Sequence, residues 1–391
     1  MKSAKCTTKK ILFICNDHIG WAMAGPGIRY WEMASALERK GYQAVILARH
    51  VESGFSNNRI TFLGVTSFLN LIRWIRRSDC IIQPGRPLSI LFSLLFRKKV
   101  IFDQYDPVIF EFLERNPASW KDRIQKRAML LLWKVRQHII LRFGSIFLAA
   151  NEKQKDFLIG QLTILGHAYK LDSVVIVPFG LSAGKPVKMR QVLRGNKIQD
   201  TDFLLVWGGG IWDWFDPFTL LQALVRIKSQ RDDIKVYFPG LRPPSPDSRK
   251  MAVVEDFLAE ARRLGLLETS VFLNPDWTPY EQRADYLLEA DAGISLHKDS
   301  METRFAFRTR MLDYLWACLP IIASKGDSWA DIIEREGLGI TVHSGDVDGV
   351  VNAILKMAED KELRAACRRH ALPVAEAYQW DSLAENLVRS L

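Results

Sequence analysis

The chain has 391 residues, 48% hydrophobic and 25% charged, an ordinary soluble globular composition with length enough for two domains. Its five cysteines (Cys6, Cys15, Cys80, Cys318, Cys367) are scattered without a CxxC pair, which points to a reducing compartment and away from structural zinc. The N-terminal apolar run, Ile11 to Cys15, is too short for a signal-peptide core. Pro87 to Phe96 is about half the ~20 residues a membrane span needs, so no segment is expected to cross a membrane.

The net charge of +10 is uneven. Residues 1–178 carry 27 Lys+Arg against 13 Asp+Glu, whereas the remainder carries 27 against 31. Such asymmetry suggests that the first half faces something anionic. The excess peaks at 115–142, where eight basic residues meet a single acid, Asp122, interleaved with Trp120, Met129, Leu130, Leu131, Leu132 and Trp133. A basic helix with a Leu/Trp face can lie on an anionic bilayer. Equally, that apolar face can be ordinary core.

In chain order, Ile11 to Cys15 reads as a buried parallel strand, short, apolar and unbroken. A polar loop ends in Gly25-Pro26-Gly27, and a helix is expected from Ile28 to about Lys40, with Gly41 as its C-cap. Tyr42 to Ala48 is the second strand, completing a Rossmann-type opening unit. Its glycines do not form GxGxxG, so a dinucleotide site is weakly supported. Glycines there let a ligand approach the backbone at a helix N-terminus, or merely make a tight turn. Further strands are expected at 80–82, 100–102, 145–150 and 174–177. The second of these ends in Asp103-Gln104-Tyr105-Asp106-Pro107, where Asp103 or Asp106 stands at another strand's carboxyl end, or Asp106-Pro107 caps the next helix. Pro178-Phe179-Gly180, before the polar stretch 182–200, marks a domain boundary.

The second domain repeats the plan. Phe203 to Trp207 is a strand, Gly208-Gly209-Gly210 a flexible turn, and Asp216-Pro217 a helix start with N-cap and N1 residues in place. A glycine-rich turn before a helix is a phosphate cradle in principle. Trp212 and Trp214 can stack on a base or sugar, or serve as core aromatics. Strands follow at 236–240 and 271–273, separated by an exposed Pro243-Pro244-Ser245-Pro246 loop and a helix at 249–264; Tyr280 to Glu289 is a further helix. Ala292 to His297 is an apolar strand end followed by a charged loop. A helix bearing Arg308, Arg310 and Asp313 in its first turns comes next, stopped by Pro320, and the strand Ile321-Ile322-Ala323 leads to Lys325-Gly326-Asp327. This is a βαβ unit, and ligands bind at the carboxyl ends of such strands. His297, Glu302, Arg308 and Arg310 fall at such an end, a setting that suits a nucleotide diphosphate with a ribose beside it.

Phe307-Arg308-Thr309-Arg310-Met311-Leu312-Asp313-Tyr314-Leu315, followed by Ala317-Cys318-Leu319-Pro320-Ile321-Ile322, resembles the donor-binding segment of family 4 glycosyltransferases. Asp313 stands where that family has glutamate and Cys318 where it has glycine. The family's Glu, seven residues, Glu spacing is absent, leaving Glu302 as the nearest upstream carboxylate. The resemblance implies a GT-B fold: two Rossmann-like α/β domains facing across a cleft, 1–180 on the acceptor side and 181–377 binding the donor, with about 378–391 crossing back to the first. It implies donor binding by Gly209, Gly210, Asp213, Arg308, Arg310 and Asp313, with Arg310 at the phosphate and Asp313 at the ribose. The loop with Gly25, Gly27 and Arg29 would border the acceptor and donor sugar. Asp106, His297 and Glu302 are the catalytic candidates, and Trp277 to Tyr280 the candidate base-contacting loop. The loop at 208–216 lacks the cation usual in the family.

Transfer with retention of configuration, without metal or cofactor, is implied, from a nucleotide sugar to a lipid-linked or polysaccharide acceptor in bacterial envelope assembly. The expected location is the cytoplasm, peripheral to the inner face of the plasma membrane through 115–142. Rival readings are a GT-B sugar-nucleotide epimerase, a non-catalytic nucleotide-binding subunit, and a basic nucleic-acid-binding protein. The last needs exposed aromatics along a basic groove, whereas here the basic peak rides on an aliphatic helix.

Overall fold

The computed structural model of the chain describes residues 9–21, 23–56, 60–64, 68–106, 108–114, 120–182, 184–241 and 252–391, the side chain at 252 excepted. The chain forms two compact α/β units. One comprises 1–109, 116–182 and 380–391, the other 110–115 and 183–379.

The first unit contains strands β1 (Lys10–Ile14), β2 (His18–Ile19), β3 (Gln43–Ala48), β4 (His50–Val51), β5 (Thr61–Gly64), β6 (Cys80–Gln83), β7 (Lys99–Asp103), β8 (Ile146–Ala149) and β9 (Val174–Ile176). Seven of them make one parallel sheet in the order β5-β3-β1-β6-β7-β8-β9, and β2 pairs with β4. The central strands are buried on both faces because helices cover both, which is why they read as unbroken apolar runs. The helices of this stretch are α1 (Gly25–Arg39), α2 (Phe68–Arg77), α3 (Pro87–Leu95), α4 (Val108–Glu114), α5 (Trp120–Phe143) and α6 (Glu152–Ile164); residues 110–115 belong to the second unit. Helix α1 begins three residues earlier than expected. Ala24 caps it in an extended conformation, and Pro26, with its fixed φ, sits comfortably in the first turn. Pro107 and Pro243 to Pro246, expected as a helix start and a loop, lie outside the described residues.

The second unit holds β10 (Phe203–Val206), β11 (Ile234–Phe238), β12 (Val271–Leu273), β13 (Ala292–Ser295), β14 (Ile321–Ser324) and β15 (Gly339–Val342), all parallel, in the order β12-β11-β10-β13-β14-β15. Its helices are α7 (Pro217–Lys228), α8 (Ala252–Arg263), α9 (Arg283–Leu287), α10 (Met301–Phe305), α11 (Arg310–Trp316), α12 (Ser328–Glu336), α13 (Val347–Glu359) and α14 (Lys361–Ala377). Trp207, Phe215, Phe238 and Phe257 centre its core. The expected single helix after His297 is two short ones. Ser300 caps α10, whose chain turns extended at Ala306, so Arg308 lies in a connection rather than in a first turn. Tyr280–Gln282 is a 3₁₀ turn ahead of α9, in place of one continuous helix.

The last helix, α15 (Trp380–Arg389), belongs to the first unit. Trp380 donates its backbone N–H to Leu181 at 3.0 Å and packs against Gly180, where a Cβ would stand 2.7 Å from the indole. Arg39 of α1 bonds Asp381 at 2.8 Å. Among the described residues no helix is long and apolar enough to cross a membrane.

Candidate functional site

In the second sheet the chain runs outward from β10 to β12, then returns to lay β13 on the other side of β10. The carboxyl ends of β10 and β13 are therefore a topological switch point, where flanking connections diverge and leave a crevice. The loops leaving these two strands are zipped together. Phe215 and His297 form an antiparallel bridge, the Asp216 N–H donates to Leu296 at 3.0 Å, and the Lys298 N–H donates to Trp214 at 3.0 Å. Lys298 Nζ adds a bond to the Asp213 carbonyl at 2.7 Å. The Asp216 carboxylate caps α7 through the Thr219 N–H at 3.1 Å.

Tyr314 holds the glycine turn from below. Its hydroxyl accepts the Gly208 N–H at 2.7 Å and lies 2.9 Å from the Ile294 carbonyl and 3.1 Å from that of Val206, so its single proton ties the turn to one of the two strand ends. A Cβ on Gly293 would fall 2.5 Å from the Tyr314 ring, so only glycine admits the ring there. Gly209 has φ +73, a left-handed turn conformation. Gly210 lies beneath the Trp277 ring, with an added Cβ 3.3 Å from it. Trp212 and Trp214 stack on each other at 5.9 Å and are half-buried against the core.

Arg310 projects beside this turn. It is 7% exposed, and its guanidinium lies over Phe215 at 3.8 Å and Trp207 at 5.2 Å. Nη2 donates to the Gly210 carbonyl at 2.8 Å, and Nη1 is buried without a partner. No carboxylate among the described residues stands within ion-pair distance of it. Burial, assisted by the nearby Arg308 charge, pushes its pKa down to about 10. A buried cation in this state is costly until an anion arrives.

Arg308 is differently placed. It bonds both oxygens of the buried Glu302 at 2.8 and 2.6 Å, and Thr303 Oγ1 at 3.1 Å. The expected donor cation and the expected catalytic acid thus neutralise each other, closing the α10 connection. His297 is fully buried. Its N–H donates to Ser324 Oγ at 3.1 Å and its carbonyl accepts from Ser344 Oγ at 2.9 Å. Nε2 stands 3.5 Å from Asp327 Oδ2, within ion-pair distance, and neither ring nitrogen has a closer polar partner. Asp327 also caps α12 through the Ala330 N–H at 2.9 Å, with Arg308 Nε 3.9 Å from its other oxygen. Burial works to raise its pKa, yet His297, Arg308 and the Ala330 N–H outweigh burial and hold it below 3.8.

Asp313 lies one turn along from Arg310. Its Oδ1 accepts from Arg283 Nε at 3.0 Å, while 29% of the side chain stays accessible. Burial beneath its neighbours pushes its pKa up, against the pull of Arg283 and Arg310. Arg283 is sandwiched between Tyr280 at 3.6 Å and Trp316 at 4.1 Å. Neither Arg283 nor Asp327 stands out in the sequence. Asp327 had a local signal as an N-cap ahead of Ser328-Trp329, whereas Arg283 had none, being 30 residues from its partner.

The switch point thus brings Gly209, Gly210, Asp213, His297, Glu302, Arg308, Arg310 and Asp313 into one unit. Chemically, it offers an unsatisfied guanidinium beside a glycine turn and an accessible carboxylate edge, which suits an anion carrying hydroxyl groups.

The remaining candidates sit in the first unit. Gly27 opens α1 so close to the His18 carbonyl that a Cβ would stand 2.6 Å from it, and Gly25 faces Phe179. Arg29 is wholly buried. It grips Asp103 with two bonds of 2.8 Å and donates to the carbonyls of Val177 and Pro178 at 2.9 Å, so it braces α1 against β7 and presents no surface to an acceptor. Asp103 is used up in the same pair, and Asp106, three residues on, is half-buried.

No family model and no curated protein matches the chain by sequence. Solved structures do match its fold. HepE from Anabaena, in complex with UDP and glucose, matches with a TM-score of 0.68 at 13% identity, covering 98% of this chain and 99% of its own. Sucrose-phosphate synthase from Thermosynechococcus elongatus gives 0.68 at 13% identity, over 97% and 98%. WaaG, a glycosyltransferase involved in lipopolysaccharide biosynthesis, gives 0.64 at 14% identity, over 96% and 98%. The chain therefore has the GT-B fold, with two Rossmann-like units. At such low identities the likeness carries the fold and no residue's role.

Proposed function

We propose that the chain is a retaining, metal-independent glycosyltransferase. It takes a sugar from a nucleotide-diphosphate donor bound at the β10–β13 switch point and passes it to a lipid-linked or polysaccharide acceptor in cell-envelope glycan synthesis, at the cytoplasmic face of the membrane. The observation that carries this reading is Arg310, a buried guanidinium with an unpartnered Nη1 against a glycine turn. A diphosphate leaving group supplies the missing anion, and a preorganised cation in a dry site stabilises the charge that develops as the sugar departs. Asp313, with one carboxylate edge accessible, accepts from a ribose hydroxyl. The complex of HepE with UDP-glucose supports the choice of ligand class.

The test is a thermal-shift panel of UDP, GDP, ADP, CMP and dTDP on wild type and Arg310→Ala. A nucleotide at 100 times its Kd stabilises by ~2.7 kcal/mol. One nucleotide should raise the wild-type Tm and leave the variant unmoved. No shift with any of them overturns the donor site. Binding without sugar transfer to any lipid or glycan fraction would make the chain a nucleotide-binding subunit, and conversion of the free sugar nucleotide would make it an epimerase.

A further inference from the structure

The first sheet has a switch point of its own. From β1 the chain passes to β3 and β5 on one side, then returns to lay β6 on the other side of β1. The connections leaving the carboxyl ends of β1 and β6 therefore diverge, as those of β10 and β13 do in the second sheet. Three arginines gather at this end. Arg86 closes the turn between β6 and α3, Arg49 follows β3 beside it, and Arg136 comes in from α5. Arg136 donates to the Gly85 carbonyl at 2.9 Å and bonds that of Pro84 as well. Gly85 has φ +103, and a Cβ there would stand 2.5 Å from Ile140 and 3.4 Å from Arg136 Nη2, so this backbone lies directly against the guanidinium.

Arg86 bonds Asn16 Oδ1 through Nε, and among the described residues neither Arg86 nor Arg136 has a carboxylate within ion-pair distance. Burial pulls the pKa of both down, and the Arg49 charge adds to this at Arg86. Half-buried cations without a counter-charge are costly until an anion arrives. The groups around them point the same way. Helix α3 starts with no side chain capping its first turn, which leaves the positive end of its dipole open. Gln83, wholly buried at the end of β6, reaches that turn. Its Oε1 accepts from Ser89 Oγ, whose single proton also faces the Arg86 carbonyl at 2.9 Å, and its Nε2 has no partner. Asp17, the carboxylate of the β1 loop, is engaged elsewhere, accepting the N–H groups of His18 at 2.8 Å and of Gly27.

We infer that this end of the first sheet binds a phosphate or diphosphate group, held by Arg86 and Arg136 at the start of α3, and that the acceptor carries it. The anion site rests on the first unit alone. Its assignment to the acceptor rests on the proposed function: the donor's diphosphate takes Arg310, so a second phosphoryl site serves the second substrate.

The site is tested by titration calorimetry of inorganic pyrophosphate into Arg310→Ala, whose donor site is disabled. One pyrophosphate should bind per chain. Adding Arg86→Gln should weaken it about tenfold, the loss of a charge-assisted contact. Arg86→Lys, which keeps the charge without the fork, should fall between the two. Circular dichroism checks the fold of each variant. No binding to Arg310→Ala, or equal affinity with and without Arg86→Gln, overturns the proposal.

Two compounds then identify the carrier. Glucose 6-phosphate is compared with inorganic phosphate, and farnesyl diphosphate with pyrophosphate. An Arg86-dependent affinity at least tenfold above that of the inorganic anion names a sugar phosphate or an isoprenoid diphosphate, respectively. If neither exceeds its inorganic anion, the assignment to an acceptor is overturned and the site is one for a free anion. If no nucleotide shifts wild type while pyrophosphate binding keeps its dependence on Arg86, the donor reading falls and the anion site stands.

Discussion

Replacing Arg310 by methionine should stabilise the unliganded protein while removing its response to nucleotide. A depression of the Arg310 pKa from 12.5 to about 10 corresponds to about 3 kcal/mol of burial cost at neutral pH. Methionine fills a similar volume without the charge. It forfeits the bond to the Gly210 carbonyl, worth about 1 kcal/mol, and the stacking on Phe215, worth about 1 kcal/mol. The net expectation is a gain of about 1 kcal/mol, read as a higher urea midpoint at unchanged m. With a nucleotide at 100 times its wild-type Kd, wild type gains ~2.7 kcal/mol and the variant nothing, so the order of stabilities reverses. The pH dependence has a definite sign. The folded pKa lies below the unfolded one, so the cost of the cation is full below pH 10 and is relieved as pH rises from there toward 12.5. The gap between unliganded variant and wild type should therefore close above pH 10. A methionine variant less stable than wild type by more than 1 kcal/mol, and still stabilised by nucleotide, would refute the reasoning.

Two further outcomes are expected. Cys318 holds φ +52, a left-handed conformation that costs a residue with a Cβ about 1 kcal/mol. Cys318→Gly should therefore raise stability by about 0.5 kcal/mol, read as a higher urea midpoint, after glycine's greater unfolded-state entropy is subtracted, and a drop would show that the thiol packs usefully. Asp327, held below its ordinary pKa of 3.8, contributes stability that is fully present above pH 3.8 and lost as pH falls through the folded value. Asp327→Asn should cost about 2 kcal/mol at neutral pH and give a flatter stability profile below pH 3.8; parallel wild-type and variant profiles in urea titrations at stepped pH would contradict this.

Much of the fold was legible along the chain because its signals are local. Apolar runs such as Ile11 to Ile14 and Phe203 to Val206 announce strands buried on both faces, and Asp216-Pro217 announces the start of α7. Two such alternations separated by a polar stretch are enough for two parallel-sheet units. The placement of His297, Arg310 and Asp313 at strand and helix ends followed from the same local pattern.

The resemblance put Arg310 at the phosphate, but nothing in the residues themselves separated it from Arg308. Both are arginines two residues apart, yet one is locked onto Glu302 and the other is left without a carboxylate. Which guanidinium stays open depends on where α10 breaks and which loops converge at the switch point, and those are long-range packing outcomes. The same holds for Arg29 with Asp103, 74 residues apart, and for Arg283 with Asp313, 30 apart. Helix α3 shows the point from the other side. Its apolar run reads only as too short for a membrane span, and its docking decides that Ser89 and Ser93 go inward while Leu88, Leu91 and Leu95 face out. Periodicity and capping act over about one helical turn and so determined the elements. Ion pairing and burial act between chain segments brought together by the sheet order, so the tertiary structure alone decided which charged side chains are scaffold and which remain available to a ligand.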